Sequence, residues 1–527
     1  MLDETPGARA RRNTIGDGLR RAASRYRERA ALRYGERAWS FRALDEAADR
    51  VAHALLHKGL AKGDRVAAYG RNSDAYLLLW LGTVRAGLVH VPVNYALTPS
   101  ELGYIVRQSG AKAVISDAAL DANLAELQAA GDLMFGHFED GHFEDGHFED
   151  RLGLDVLATA LDETARRAAD QDIADTDLAQ ILYTSGTTAA PKGAMLTHRA
   201  ILAEYESCIH ELDFGPNDKA LAALPLYHSA QMHCFSMPQL MAGATTVLLQ
   251  APEPATVLRL IEEHGITSFF SPPTVWISLL RHEDFDRRDL STLRHVYYGA
   301  SIMPVPVLDE LRRRLPNAGP YNCYGQSEIA PLATVLRPEE HLERPASAGR
   351  PVLNVETRVV DAEMNDCPPG VQGEIVHRSP QLLTGYWDKP KETAEVFEGG
   401  WFHSGDVGVM DEAGYLTIVD RIKDVIKTGG IQVASREVEE ALFTHPAVSE
   451  VAVIALPDPK WVEAVTAVVV LRRDQAATEA DLIEHARQTL APFKLPKRVF
   501  FVEALPRNTA GKLLKRELRK SFAEQVD

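Results

Sequence analysis

The sequence predicts an α/β protein: a large N-terminal domain of layered α/β subdomains with a small β-rich subdomain, followed by a small α+β C-terminal domain. Three observations predict it. Residues 1–120 alternate helix-period and strand-like apolar runs, and 181–345 repeat that alternation. From 346 to 420 the runs shorten into strands punctuated by Gly and Pro. Beyond Asp420, Val-rich strands and capped helices fill a unit of about a hundred residues, a size that folds alone. The expected division is 1–420 and 421–527.

Each element follows in order. Residues 41–57 set Leu44, Ala48, Val51 and Leu55 on one helical stripe. The short apolar runs 65–69 and 113–116 read as buried strands, and 75–86 as an apolar helix closed by Gly87. Residues 136–150 are three copies of Gly-His-Phe-Glu-Asp. A five-residue period suits neither helix nor strand, and three copies are too few for a solenoid. A polar, acidic, disordered loop is expected there, with metal binding by His137, His142 and His147 as the alternative. Ile181 and Leu182 lead as a strand into a polar run, and 194–198 lead out. A strand at 245–249, a helix at 254–264 and a strand at 266–270 come next, then the short strands 356–360 and 373–377. In the last unit Ser435 is expected to cap a helix reaching His445, and 451–455 and 465–471 are strands. Thr478-Glu-Ala-Asp481 is a capping box.

Composition narrows the function. At 527 residues the chain is too long for one core. A formal charge of -17 argues against nucleic acid as a partner, so any phosphate ligand must be met by locally gathered positive charge. The cysteines, at 208, 234, 323 and 367, form no C-x-x-C pair, which fits a reducing cytoplasm and neither zinc nor disulfides. Arg9, Arg11 and Arg12 precede no apolar segment, so no signal peptide is expected. No integral membrane segment is expected either, since no apolar stretch approaches about 18 residues.

The chemistry is concentrated in Tyr183-Thr-Ser-Gly-Thr-Thr-Ala-Ala-Pro-Lys-Gly193. Hydroxyls and glycine N–H groups cradle phosphate oxygens, and Lys192 adds a positive charge. It is no Walker loop, because Pro191 precedes the lysine and a strand follows. Further motifs follow in order: Pro225-Leu-Tyr-His228, Gly299-Ala-Ser301, Tyr324-Gly-Gln-Ser-Glu328, Trp401-Phe-His-Ser-Gly-Asp406, Asp420-Arg-Ile-Lys-Asp424 and Pro506-Arg-Asn-Thr-Ala-Gly-Lys512. Together they resemble the adenylate-forming superfamily of acyl-CoA ligases, firefly luciferase and peptide-synthetase adenylation domains, most of all its fatty acyl-CoA ligases. One departure is Ala189, where the family usually has glycine.

The resemblance implies ATP, Mg²⁺ and CoA as cofactors and a mobile C-terminal domain. It implies that Thr184, Ser185, Gly186, Thr187, Thr188 and Lys192 hold phosphates. It implies that Glu328, with Thr184, serves Mg²⁺. Gly299, Ala300, Ser301, Asn322, Tyr324, Gly325, Gln326 and Ser327 would form the adenine side. Asn322 has a local bond as its alternative. Asp406 and Arg421 would hold the ribose, with a turn cap and a surface ion pair as the alternatives. Lys512 would be the catalytic lysine, admitted by Gly511, and Glu328, Lys192 and His228 the other catalytic residues. Lys427 and Gln432 would lie on the opposite face of a small domain that swings about Lys423. Gly429 and Gly430 would approach the pantetheine channel. His228 would border the acyl site, with a structural histidine the alternative. Met232, Phe235 and Met237 are read as an acyl tunnel or as core. The resulting expectation is a cytoplasmic ligase that activates a fatty acid as its acyl-adenylate and transfers it to CoA. An aryl acid stands second. An amino-acid adenylation domain and a non-catalytic nucleotide binder are the rivals, and a homodimer is the assembly allowed for.

Overall fold

A computed structural model of the protein describes residues 7, 10–131, 133–139, 154–166, 171–184, 191–301, 303–508 and 513–523. Two large sheets form the first part. One runs, in spatial order, through strands Met134–His137, Ala111–Ser116, Arg65–Tyr69, Val89–Val93, Leu178–Thr184 and Lys192–Thr197. Its strands are parallel except the last. The other has nine strands, with the parallel strands Thr245–Leu248, Lys219–Ala222, Ser268–Ser271, His295–Gly299 and Gly319–Gly325 at its centre. Parallel strands need crossover helices, which cover both faces. The helix Asp74–Arg85 is buried along all its length, so it shows no polar stripe. It lies against Phe41–His57, whose Leu44, Ala48, Val51 and Leu55 all point into the core.

The chain then forms an antiparallel four-stranded sheet, Glu356–Val360, Gly373–Arg378, Phe402–Met410 and Leu416–Arg421. It leaves this sheet at Arg421 and enters a five-stranded sheet at Ile426. The latter has its own core, built on Val453, Val465, Ala467, Leu442 and Leu482. Among the described residues no helix is long and apolar enough to cross a membrane.

Two expectations are corrected. The first copy of the pentapeptide repeat is folded as far as Glu139, its last described residue. His137 ends the strand Met134–His137 and meets Asp121 at 3.0 Å. Phe138 is 1% exposed and stacks on Tyr76 at 5.2 Å. A parallel neighbour, Ala111–Ser116, supplies the strand environment that the five-residue period hides. The second and third copies, with His142 and His147, lie outside the described residues. Ser435 does not cap its helix, which runs Ser435–Phe443 with Ala434 at the cap. Its backbone N–H and hydroxyl both donate to the Asp420 carboxylate, at 2.6 and 2.8 Å.

Candidate active site

Thr184 and Lys192 face each other at the end of an antiparallel strand pair. Ser185, Gly186, Thr187, Thr188 and Ala189 lie outside the described residues. The Thr184 hydroxyl donates to Glu328 Oε1 at 3.1 Å. Tyr386 donates to the same oxygen at 3.3 Å, and the Lys192 ammonium sits 5.0 Å from the Tyr386 ring centroid. Burial and the adjacent Glu328 charge push the Tyr386 phenol above its ordinary value, so it stays a donor. Glu328 is 9% exposed on the turn Ser327–Ile329. Mg²⁺ takes hard oxygen ligands and needs few from protein. A nearly buried carboxylate beside a threonine hydroxyl and a lysine fits that ion and a polyphosphate.

The strand Gly319–Gly325 carries the chain into this turn. A Cβ at Gly325 would meet the Pro331 carbonyl oxygen at 1.9 Å, so the close return of the chain requires glycine there. Tyr324 donates to Asp406 Oδ2 at 2.7 Å. Burial first, then Asp406, keep this phenol protonated. Asp406 lies opposite Arg421 in the antiparallel register, and Arg421 Nε is 3.5 Å from Asp406 Oδ1. Gln326 donates to the Ser404 carbonyl at 3.3 Å, joining the same two segments. Gly299 ends a neighbouring strand, followed by Ala300 at φ 61° and by exposed Ser301. Asn322 donates to the Ser347 carbonyl, 25 residues away, at 2.8 Å.

His228 is half-buried, and its Nδ1 accepts the Ala230 N–H at 3.3 Å. The next residue, Ser229, shares a 2.9 Å hydrogen bond with Ser327, tying this loop to the Glu328 turn. The tunnel reading for the three residues beyond it is replaced by core. Phe235 stacks on Phe270 at 4.0 Å, and Met232 and Met237 sit in the main core. The stretch Ala230–Ser236 is a π-helix with every side chain from Gln231 onward buried.

In the last unit, Lys427 pairs with Gln432 across a hairpin. Gly429 and Gly430 form its two-residue turn at φ 56° and 81°, which the I′ geometry demands. Lys423 is pulled below its ordinary value by burial and by Arg421. Asp424 accepts from Arg519 at 2.6 Å, while Lys515 donates to Ser435 at 2.6 Å. The helix Lys515–Ala523 therefore fastens to the segment around Lys423. Lys512 and Gly511 lie outside the described residues, but Arg507 and Leu513 on either side are bridged.

Thr184, Lys192, Glu328, Tyr324, Gln326, Asp406 and Arg421 thus form one connected set, with Ser327 and the His228 loop beside it. Sequence reasoning missed Tyr386, Glu204 and Gln381. Tyr386 sits in Thr384-Gly-Tyr386-Trp387, whose glycine-aromatic punctuation was the only local signal. Glu204, a carboxylate inside an apolar helical stripe, was the other legible clue.

A family model described as "AMP-binding enzyme" matches residues 19–387, and one described as "AMP-binding enzyme C-terminal domain" matches 437–512. The chain is 36% identical over 493 residues to a protein named feruloyl-CoA synthase from Amycolatopsis sp, covering 93% of this chain and 96% of that one. It is 32% identical over an alignment of 546 residues to a long-chain-fatty-acid–CoA ligase of Escherichia coli O6:H1, covering 98% and 96%. Among solved structures, ATP-bound MatB from Rhodopseudomonas palustris superposes with a TM-score of 0.88 at 31% identity, over 98% of this chain and 100% of that one.

Proposed function

The chain belongs to the AMP-binding enzyme family of adenylate-forming acyl- and aryl-CoA ligases, and from that premise we propose that it joins a fatty acid to CoA. ATP, Mg²⁺ and CoA are its cofactors. The observation that carries the adenylation is the Thr184–Glu328–Tyr386 cluster beside Lys192, next to the Tyr324–Asp406–Arg421 set, and the fatty acid rests on the likeness to a long-chain-fatty-acid–CoA ligase.

Asp406 and Arg421 hold the ribose, and Tyr324, held by Asp406, presents its ring to the base. Thr184, Lys192 and the run 185–190 hold the phosphates. Glu328, with Thr184 beside it, would hold Mg²⁺, which would supply positive charge to offset that of the phosphate oxygens. Lys512 brings its ammonium to the bound carboxylate and the α-phosphate. A carboxylate oxygen attacks the α-phosphorus, the bond from that phosphorus to the pyrophosphate oxygen breaks, and charge-stabilising contacts lower the barrier. The unit 421–527 then swings about Lys423, bringing Lys427, Gln432, Gly429 and Gly430 to the acyl-adenylate. The CoA thiolate attacks the carbonyl carbon and AMP leaves. The proposed compartment is the cytoplasm, in keeping with four free cysteines.

An aryl acid is the second reading. It is favoured by the 36% identical relative named for feruloyl-CoA and by the edge-to-face pair Tyr95–Tyr227 beside His228. Pyrophosphate release with a panel of acids tests both. For a fatty-acid enzyme kcat/KM rises about fourfold per methylene from acetate into the medium-chain acids, the scale of about 0.8 kcal/mol per buried CH₂. Preference for coumarate over octanoate moves the assignment to aryl acids. No release with any acid overturns the ligase reading.

A further inference from the structure

The turn that bears Glu328 is fastened from behind by a buried carboxyl outside the chemistry described above. Glu204 lies on the helix His198–Glu211 and is 0% exposed. Its Oε1 accepts the Leu332 backbone N–H at 3.0 Å and the Cys208 thiol at 3.1 Å. Its Oε2 accepts Gln381 Nε2 at 2.6 Å. The same Gln381 nitrogen reaches the carbonyls of Leu332 at 2.9 Å and Ile329 at 3.3 Å, and its Oε1 accepts from Ser207 at 2.7 Å. Two buried side chains therefore hold residues 329–332 by both their donors and their acceptors. Leu383 completes the grip, donating its N–H to the Glu328 carbonyl at 2.9 Å.

Burial raises the Glu204 carboxyl well above its ordinary value, and its three donors only partly offset that cost. An apolar side chain would avoid the cost, so what the carboxyl supplies is the aim of the backbone it bonds. Glu204, Cys208 and Cys234 also lie close enough to suggest a metal site. Burial keeps both thiols protonated, and both Glu204 oxygens are already engaged by the chain. That reading fails.

We propose that Glu204, with Gln381, is a positioning residue that holds the Glu328 turn and so sets the affinity of the adenylation site for magnesium. The proposal rests on Glu328 being the magnesium ligand. Groups bonded directly to a metal ligand change metal affinity by about 10- to 100-fold when removed; Glu204 and Gln381 act one step further back, on the backbone that follows Glu328, so a smaller change is expected.

The test uses full-length protein and reads the rise in melting temperature produced by ATP as MgCl₂ is titrated. Glu204→Ala and Gln381→Leu are expected to move the MgCl₂ midpoint upward by about three- to tenfold, at or below the low end of the effect of a direct ligand partner. Glu204→Gln keeps an acceptor for Leu332 but turns an amide N–H₂ onto the Gln381 nitrogen, so it should move the midpoint in the same direction as Glu204→Ala. Leu212→Ala, a cavity at the end of the same helix, should lower the melting temperature without ATP and leave the midpoint alone. An unmoved midpoint in Glu204→Ala overturns the proposal. If that variant does not fold, an unmoved midpoint in Gln381→Leu overturns it equally. A wild type that shows no magnesium dependence removes the Glu328 reading and the proposal together, whereas a dependence that no variant shifts removes only the proposal.

Discussion

Thr184 and Glu328 stand 144 residues apart in the chain and 3.1 Å apart in space. Thr184 ends a strand of the six-stranded sheet, and Glu328 follows the strand Gly319–Gly325 of the nine-stranded one. Their hydrogen bond joins the carboxyl ends of strands from two sheets, where open α/β sheets bind ligands. The site is therefore a junction, and its parts can be tested separately.

Lys512→Ala should slow acyl-adenylate formation by on the order of a hundredfold or more, the scale of a lost charge contact in the transition state. Thioester formation from supplied acyl-adenylate should be nearly unchanged. Single-turnover assays of the two half-reactions check this, and equal loss in both would contradict the swing about Lys423.

Tyr324→Phe removes the 2.7 Å hydrogen bond to Asp406. Without that bond the Asp406 carboxylate is no longer held in its aim, and kcat/KM for ATP should fall roughly 10- to 100-fold, the scale of a small misplacement of a positioning group. Initial rates with ATP varied at saturating acid provide the measurement. A defect confined to the KM of the acid would show that Tyr324 serves a different subsite.

Val462→Gly should stabilise the protein. Val462 has φ 70°, a left-handed conformation that a β-branched residue rarely adopts, and its side chain is 72% exposed. Relief of a strain of about 1–2 kcal/mol exceeds the extra freedom gained by the unfolded chain. The urea midpoint should rise with no change in adenylation rate. A fall would mean that the side chain contributes packing that outweighs the strain.

Stability should fall as pH drops below about 6.5. Burial lowers His90 and His233 to about 3, and His198, His341 and His377 to about 4. These rings are neutral when folded, so below pH 6.5 the unfolded chain binds protons that the folded one refuses. Each ring costs about 1.4 kcal/mol per pH unit in that window. Glu204, Glu439 and Asp117, raised by burial, act in the opposite sense but are fewer. Urea midpoints at pH 7.5, 6.5 and 5.5 give the profile. His233→Gln should flatten its slope by about one proton, and an unaltered slope would show that His233 is not held neutral.

Local order was legible where the chain's own period decides it. The helices Phe41–His57 and Pro254–His264, the strand Arg65–Tyr69 and the capping box at Thr478 have the bounds that side-chain spacing and caps predict. The motifs that carried the family resemblance also contain Thr184, Tyr324, Glu328, Asp406 and Arg421, whose side chains meet in pairs once the chain is folded. Phe138, inside an acidic repeat, was not legible. Its burial comes from a parallel strand and from Tyr76, both distant in sequence. Nor was Ser435, whose donors go to Asp420 instead of to its own helix. Met232, Phe235 and Met237 were apolar from the start, but only the packing around the π-helix decided that they fill the core. Tyr386 and Glu204 take their roles from partners 58 and 128 residues away. By itself the sequence determined which faces are apolar and which residue types the chemistry requires. The tertiary structure alone decided what those faces meet, because hydrogen bonds and ring contacts between distant segments exist only once the sheets have closed on each other.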